Sequence, residues 1–252
     1  MMNFYHYKSM EKNIKIAKNI ALIVGRILKK QHDSNNIKIN IEEGRDIKLQ
    51  SDLDSEKLLI DILKKETEFS ILSEECGLIE GTNKNYLWVI DPLDGSLNFS
   101  RGININCISI GLWKDEKPVL GVIYDFINDN MFEGICGKGA FLNGKAINVS
   151  KINERSKSII CTGFPVYRSF EDQSLIDFLS KIQSYKKVRL LGSAAYSLTL
   201  VAKGSVEAYS EEGIGFWDVA AGIAIVTAAG GNCNFSFCIE NKNLMNVFIT
   251  NI

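Results

Sequence analysis

Strand-like and helix-like segments alternate through the second half of this chain, and this alternation is the strongest constraint on its fold. Each short strand-like segment is followed by a helix-like one. In chain order the pairs are residues 158–162 and 175–184, 188–191 and 194–202, and 208–209 and 218–229. Alternating strands and helices are typical of an α/β architecture, in which helices cover a sheet. We therefore predict an α/β second half.

The first half combines two amphipathic helices with strands in hairpin order. Apolar residues recur at helical spacing in residues 11–28 and 55–66. Strands are predicted at residues 37–41, 47–49, 107–113, 119–124 and 131–135, with a further hairpin at 137–148. No repeat or low-complexity linker separates the halves, which join near Ser150. We expect one domain over residues 1–252, an α+β layered sandwich with sub-halves of about 1–149 and 150–252.

The composition is typical of a globular protein, with 46% hydrophobic and 23% charged residues. The net charge of −1 gives no electrostatic basis for binding nucleic acid or an anionic membrane. The apolar runs at 19–25 and 219–229 are shorter than a bilayer span requires. The first run also lacks the cleavage site of a secretory signal. We therefore expect neither a membrane segment nor direct binding of nucleic acid.

The cysteines and histidines narrow the possible chemistry. Six cysteines are scattered without a Cys-x-x-Cys pair, which disfavours a zinc ribbon or a thioredoxin-like site. We expect reduced thiols and a cytoplasmic location. Cys76, beside two glutamates, is interpreted as an ordinary loop thiol, with a redox-sensitive thiol as the alternative. The two histidines, His6 and His32, have no nucleophile signature nearby, so the chemistry is expected to fall to carboxylates and hydroxyls.

One loop combines carboxylates with the start of a helix. The apolar run at residues 87–90 predicts a buried strand that ends in Asp91 and Asp94, with Pro92 in the turn between them. Gly95 and Ser96 follow at the predicted start of a short helix. Strand-end carboxylates suit hard cations such as Mg²⁺, and helix N-termini suit phosphate. The loop therefore favours metal-dependent phosphoryl chemistry, although Asp-Pro and Asp-Gly also occur in ordinary surface turns.

Three further acidic positions accompany this loop. Glu74 and Glu75 follow an apolar strand, Asp52 precedes a helix predicted to begin near Ser55, and Asp218 begins an apolar helix. The glutamates could form a solvated turn, and aspartate at a helix start is often an N-cap. For Asp218 the preceding aromatic residue favours a protein-lined cleft instead.

Taken together, these segments resemble the inositol monophosphatase family within the lithium-sensitive sugar phosphatases. The resemblance rests on Asp52, Glu74-Glu75, Asp91-Pro-Leu-Asp-Gly-Ser96 and Trp217-Asp218-Val-Ala-Ala-Gly222, and it extends from Asp46 to Gly231. It implies a layered sugar-phosphatase-type fold, a phosphomonoesterase activity that requires Mg²⁺, inhibition by Li⁺ and a homodimer.

The resemblance also implies a set of metal ligands. Glu74, Asp91 and the backbone carbonyl of Leu93 would hold a first Mg²⁺. Asp91, Asp94 and Asp218 would hold a second ion, and Glu74 with waters would hold a weaker third. Several carboxylates in one cleft would repel one another strongly without cations. The expected cofactor is therefore two to three Mg²⁺ ions per site.

The remaining implied roles concern water and phosphate. Ser96 stands where the family usually has threonine, and its hydroxyl would orient the attacking water and pass its proton to Asp52. Glu74 would assist this step beside the metal. The backbone N–H groups of Gly95 and Ser96 would receive the phosphate.

The substrate is expected to be a small polyol or sugar phosphate, with inositol 1-phosphate as the principal expectation. Glu211 matches the family position that contacts a substrate hydroxyl, and the other substrate contacts would be Asp94, Gly192, Ser193, Ala194 and Asp218. Arg168 could reach a second phosphate or be a solvated loop residue. Fructose 1,6-bisphosphate, a 3′(2′),5′-bisphosphate nucleotide and histidinol phosphate remain alternatives. Residues 233–238 match no pattern.

Two other classes of function remain open at this point. The chain could be a catalytically silent member that binds a protein or RNA partner, or a structural domain that binds Mg²⁺ or Ca²⁺. The intact acidic set argues against silence. Phosphate release with and without Mg²⁺ distinguishes the three classes.

Overall fold

The computed structural model describes residues 4–34, 39–43, 46–164 and 172–252. Six α-helices lie within these ranges: α1 (Phe4–Asp33), α2 (Gln50–Glu66), α3 (Ser96–Ser100), α4 (Asp172–Ile182), α5 (Ala194–Ala202) and α6 (Phe216–Ala228). The strands of the first half are β1 (Ile39–Glu43), β2 (Asp46–Leu49), β3 (Phe69–Ser73), β4 (Gly77–Ile79), β5 (Asn83–Asp94), β6 (Cys107–Lys114), β7 (Lys117–Asp125), β8 (Asn130–Ile135), β9 (Gly139–Leu142) and β10 (Lys145–Ile147). Those of the second half are β11 (Ile159–Thr162), β12 (Lys187–Leu190), β13 (Ala208–Gly215), β14 (Asn232–Phe237) and β15 (Leu244–Thr250).

Most of the described strands form two sheets of different character. The larger sheet has the order β10-β9-β8-β7-β6-β5-β3-β4 and is antiparallel except where β3 pairs with β5. The smaller sheet has the order β12-β11-β13-β15-β14, with β12, β11 and β13 parallel. This arrangement confirms the predicted antiparallel-rich first half and α/β second half.

The helices make the fold a stack of layers. α1 and α2 pack on one face of the larger sheet, while α5 and α6 contact strands of both sheets and so lie between them. β5 is buried on both faces: Val89 belongs to the apolar cluster between the sheets, and Trp88 and Ile90 belong to the cluster beneath α1 and α2. Burial on both faces explains why this strand is a continuous apolar run.

α6 is apolar on all sides because protein surrounds it. Its residues from Val219 to Val226 are buried, as expected for a helix enclosed between two layers. The closest approach to the larger sheet is at Gly121 of β7, where a Cβ would lie 2.2 Å from the carbonyl oxygen of Ala221. The helix can lie this close to the sheet only because this residue is glycine.

The structure corrects several predicted elements. α2 begins at Gln50, so Asp52 lies in its first turn and not ahead of it. α1 is longer than predicted. Residues 233–238, which matched no pattern, form most of β14, an edge strand that pairs with β15. Among the described residues, no helix is both long enough and apolar enough to cross a membrane.

Candidate active site

The end of β5 places two buried carboxylates at the edge of a cleft. The β5–β6 pairing shifts register between Asp91 and Asp94, where Pro92 lacks the N–H of a regular strand. Asp91 Oδ1 accepts a hydrogen bond from Leu93 N at 2.9 Å. Gly95 follows with φ of 88°, and a Cβ there would lie 2.7 Å from the carbonyl oxygen of Ile105. Glycine is therefore required where the chain turns into α3.

The start of α5 holds Asp94 in place. Asp94 Oδ2 accepts hydrogen bonds from Ser193 Oγ at 2.5 Å and from Ala195 N at 2.7 Å. Ser193 also caps α5, because its Oγ accepts from Tyr196 N at 3.2 Å. Burial raises the pKa of Asp94 to about 6, although these donors oppose the shift. The Ser193 hydroxyl, predicted to face substrate, is thus engaged with a predicted metal ligand.

Asp218 brings a third carboxylate to the same place from the first turn of α6. Ligand oxygens of Asp91, Asp94 and Asp218 all lie within 4.8 Å of one another. Burial raises the pKa of Asp91 and of Asp218 well above the usual aspartate value, and repulsion from Glu74 is the next cause for both. A Cβ at Gly215 would lie 2.7 Å from Asp218 Oδ2. Glycine at the helix start therefore makes room for this carboxylate.

This donor set fits a hard divalent cation. Three buried or partly buried carboxylates supply only oxygen atoms, which are the ligands that Mg²⁺ and Ca²⁺ prefer. The raised pKa values show that the ionised cluster is electrostatically costly without a cation. A bound cation would remove this cost.

Glu74 faces the same cleft from the turn after β3. It lines a cavity of about 380 Å³ together with Asp94 and Asp218. The turn is held by Glu56 of α2, whose Oε1 accepts hydrogen bonds from the backbone N–H groups of Glu75 and Cys76. No motif in the sequence predicts a role for Glu56. Its position four residues after Asp52, on the same face of α2, was the available signal.

The hydrogen bonds that the structure gives for Asp52 Oδ2 and Ser96 Oγ are to backbone groups. Asp52 Oδ2 accepts from Leu49 N at 2.8 Å, so Asp52 supports the start of α2 from the N3 position, and Leu49 is the N-cap. Ser96 Oγ donates to the carbonyl oxygen of Leu93 at 2.9 Å. The Leu93 carbonyl is a predicted metal ligand, so Ser96 contacts the ligand set directly. The alternative that Asp52 is an N-cap is wrong in position, because Asp52 lies at N3 and bonds the N–H of the N-cap residue Leu49. The role of Asp52 toward water stays a prediction.

Four of the predicted substrate residues line the same cavity as Glu74, Asp94 and Asp218. They are Gly192, Ser193, Ala194 and Glu211. The phenol of the buried residue Tyr209 donates a hydrogen bond to Glu211 Oε2 at 2.5 Å. The sequence analysis did not predict this partner, which lies two residues earlier on β13. Arg168 lies outside the described residues.

Comparison with known proteins identifies the family. A model of the inositol monophosphatase family matches residues 9–236. The chain belongs to the inositol monophosphatase family. It is therefore a phosphoric monoester hydrolase by family, and the resemblance drawn from the sequence is confirmed.

Relatives within the inositol monophosphatase family carry different names. An inositol-1-monophosphatase of Synechocystis sp. is 37% identical over 75% of this chain and 68% of that protein. The Nus factor SuhB of Pasteurella multocida is 32% identical over 90% of this chain and 86% of that protein. A fructose-1,6-bisphosphatase/inositol-1-monophosphatase of Aquifex aeolicus is 34% identical over 89% and 86%. Family membership therefore leaves the substrate open.

A solved structure of the family supports the fold. The extragenic suppressor protein suhB of Bartonella henselae superposes with a TM-score of 0.84 at 31% identity. The match covers 94% of this chain and 93% of that chain. The layered α/β architecture predicted from the sequence is therefore confirmed.

Proposed function

We propose that this chain hydrolyses a small polyol phosphate in the presence of Mg²⁺ and that inositol 1-phosphate is its substrate. The observation that carries the proposal is the convergence of Asp91, Asp94 and Asp218 beside a cavity that Glu211 also lines. The cluster suits a cation that binds phosphate, and the Glu211 carboxylate suits a ligand rich in hydroxyls.

Five residues would hold the metal. They are Glu74, Asp91, Asp94, Asp218 and the backbone carbonyl of Leu93, for two to three ions. Bound divalent ions would stabilise charge on the phosphate and lower the pKa of a bound water. The donors on Asp94 Oδ2 restrain its carboxylate before any ion binds. This preorganisation lowers the cost of assembling the site.

The chain's own groups would complete the reaction. The hydroxyl of Ser96 would orient the attacking water, and Asp52 would receive the proton, with the Glu74 carboxylate beside the water. The N–H groups of Gly95 and Ser96 would bind phosphate oxygens. General acid–base assistance of this kind contributes about 10²–10⁴-fold to the rate.

Glu211 and its neighbours in the cavity lining would select a polyol. The Glu211 carboxylate can accept hydrogen bonds from substrate hydroxyls, and the Tyr209 phenol fixes its orientation. Gly192, Ser193 and Ala194 would border the ring of the substrate, with Asp94 and Asp218 near its reacting end. A site built to bind hydroxyls discriminates strongly against ligands that lack them.

A panel of phosphate esters tests the proposal. We expect phosphate release from inositol 1-phosphate with Mg²⁺, little release in excess chelator, and inhibition by millimolar Li⁺. Fructose 1,6-bisphosphate, adenosine 3′,5′-bisphosphate and histidinol phosphate complete the panel. A higher kcat/KM for one of these would reassign the substrate, and full activity in chelator would overturn the metal-dependent mechanism.

The same assay addresses an alternative of another class. Because one relative is named a Nus factor, a binding or regulatory role without catalysis is the second candidate. Absence of phosphate release across the panel, despite Mg²⁺ binding, would favour that role. We further propose that residues 1–252 act as one domain and that the protein is a cytoplasmic homodimer. Light scattering on the purified protein tests the oligomeric state.

A further inference from the structure

Glu56 is a buried carboxylate directly behind the candidate site. Its residue is 2% exposed, and it lies on α2 one turn after Asp52. Residues four apart on a helix share a face. A buried carboxylate is costly unless hydrogen bonds compensate for its lost hydration. The partners of Glu56 therefore indicate what this residue stabilises.

All of the hydrogen bonds that the structure gives to the Glu56 carboxylate come from one turn. Oε1 accepts from Ser73 Oγ, from Glu75 N at 3.0 Å and from Cys76 N at 3.1 Å. Oε2 accepts from Cys76 Sγ at 2.8 Å. These donors flank Glu74 on both sides, in the turn between β3 and β4. The turn is therefore folded around a single carboxylate.

The turn determines where Glu74 lies. Glu74 lines the cleft with Asp94 and Asp218, and its charge contributes to the raised pKa of Asp218. Without Glu56, two backbone N–H groups and a hydroxyl would need other acceptors, and the turn would rearrange toward water. Partners that orient metal ligands typically affect metal affinity about 10–100-fold.

We propose that Glu56 is a positioning residue that holds Glu74 in the metal site. The inference rests on the proposed function, because it requires that Glu74 bind the metal. It extends that function by joining both buried carboxylates of α2 to the site: Asp52 toward the water and Glu56 toward a metal ligand. α2 thereby fixes two parts of the site relative to each other.

The competing explanation is that Glu56 only stabilises the fold. Glu207 supplies a matched control, since it is also buried and its Oε2 accepts from Ile159 N at 2.7 Å. Glu207 contacts β11 in the smaller sheet and does not touch the turn. Glu207→Gln should therefore lower stability without changing metal affinity.

The experiment measures Mg²⁺ binding to metal-free protein by calorimetry. We expect Glu56→Ala to weaken binding about 10–100-fold. Glu56→Gln keeps an acceptor oxygen and the side-chain volume, so its loss should be smaller. At saturating Mg²⁺ the Gln variant should regain a near-wild-type kcat, a split between metal affinity and turnover that a purely structural role does not produce.

A double-mutant cycle with Glu74→Gln completes the test. If Glu56 acts through Glu74, adding Glu56→Gln to Glu74→Gln should weaken Mg²⁺ binding little further. Wild-type affinity in folded Glu56→Gln and Glu56→Ala, or additive losses in the cycle, would overturn the positioning role. Failure of the proposed function gives a different result, because the wild-type protein itself would then release no phosphate from the panel, with or without Mg²⁺ binding. Glu56→Gln keeps the test decisive if Glu56→Ala does not fold.

Discussion

At the scale of single residues, Asp52 combines two roles that affect different measurements. Its bond to Leu49 N supports the start of α2, and loss of such a capping interaction costs about 1 kcal/mol of stability. Its proposed second role is to accept the proton that Ser96 passes on. Capping affects the free energy of unfolding, whereas proton transfer affects kcat. The two roles can therefore be measured separately on one variant.

We expect Asp52→Asn and Ser96→Ala each to lower kcat at saturating substrate about 10²–10⁴-fold. The double variant should be little slower than either single one, because residues that act as a unit are non-additive. Asp54→Asn, at an exposed carboxylate on the same helix, is the control. Kinetics and thermal melts on the same samples give the answer. Normal turnover per folded molecule with a lowered melting temperature would leave Asp52 with its role at the start of α2 only.

At the scale of elements, α6 determines where Asp218 lies, and Gly121 sets the distance of α6 from the larger sheet. A Cβ at this position would also lie 3.0 Å from the Cα of Ala221. Backbone atoms on both elements form this contact, so no flexible side chain can move to relieve it. Any added atom must displace the helix.

We expect Gly121→Ala to destabilise the protein by about 1–3 kcal/mol, the usual cost of overpacking. It should also weaken Mg²⁺ binding, because Asp218 moves with α6. Gly137→Ala is the control: that residue has φ of 83° and no atom within 4 Å of its Cβ position. It should cost about 1–2 kcal/mol for the left-handed backbone alone and leave binding unchanged. Urea unfolding measures the loss of stability, and Mg²⁺ titration measures the change in affinity. Wild-type Mg²⁺ affinity in Gly121→Ala would show that this contact does not determine the position of Asp218.

The sequence predicts elements best where local pattern and environment agree. β6, β7 and β8 lie within a few residues of their predicted positions because turns separate distinct apolar runs. β14 was not predicted, although its residues alternate between half-buried and exposed. It is an edge strand, and its extended conformation depends on pairing with β15. α2 begins one turn early because the Asp52 side chain satisfies the N–H of Leu49. Neither interaction is visible in local composition.

At the scale of the whole molecule, the candidate site joins both halves of the chain. Asp91 and Asp94 come from β5, Asp218 from α6 and Glu211 from β13. Motifs were sufficient to predict these residues. The approach of the three aspartates within 4.8 Å of one another results from the packing of α5 and α6 between the two sheets, which no motif encodes. The partners Glu56 and Tyr209 were not predicted, because their hydrogen bonds form only in the folded chain; the spacing of Glu56 from Asp52 was a local signal for Glu56 alone.

The convergence of charge implies that the site opposes the stability of the metal-free protein. Burial raises the pKa of Asp91, Asp94 and Asp218, and repulsion from neighbouring carboxylates adds to the shift for Asp91 and Asp218. Ionising these groups in the folded protein without a cation therefore costs stability. A cation at a hundred times its Kd would stabilise the folded state by about 2.7 kcal/mol. For a chain of this size, this corresponds to a rise in melting temperature of about 5–11 °C.

Neutralising one carboxylate should therefore raise the melting temperature of the metal-free protein and lower its activity. We expect metal-free Asp218→Asn to melt at a higher temperature than metal-free wild type at pH 8, because the substitution removes a carboxylate whose ionisation is opposed by burial, Glu74 and Asp94. The same variant should lose most of the Mg²⁺-dependent rise in melting temperature and most of its activity. Asp61→Asn, at an exposed position of α2, should behave as wild type in both states. Calorimetric scans with and without Mg²⁺ provide the measurement, and a variant that is less stable without metal yet fully stabilised by Mg²⁺ would contradict the assignment of Asp218 to the ligand set.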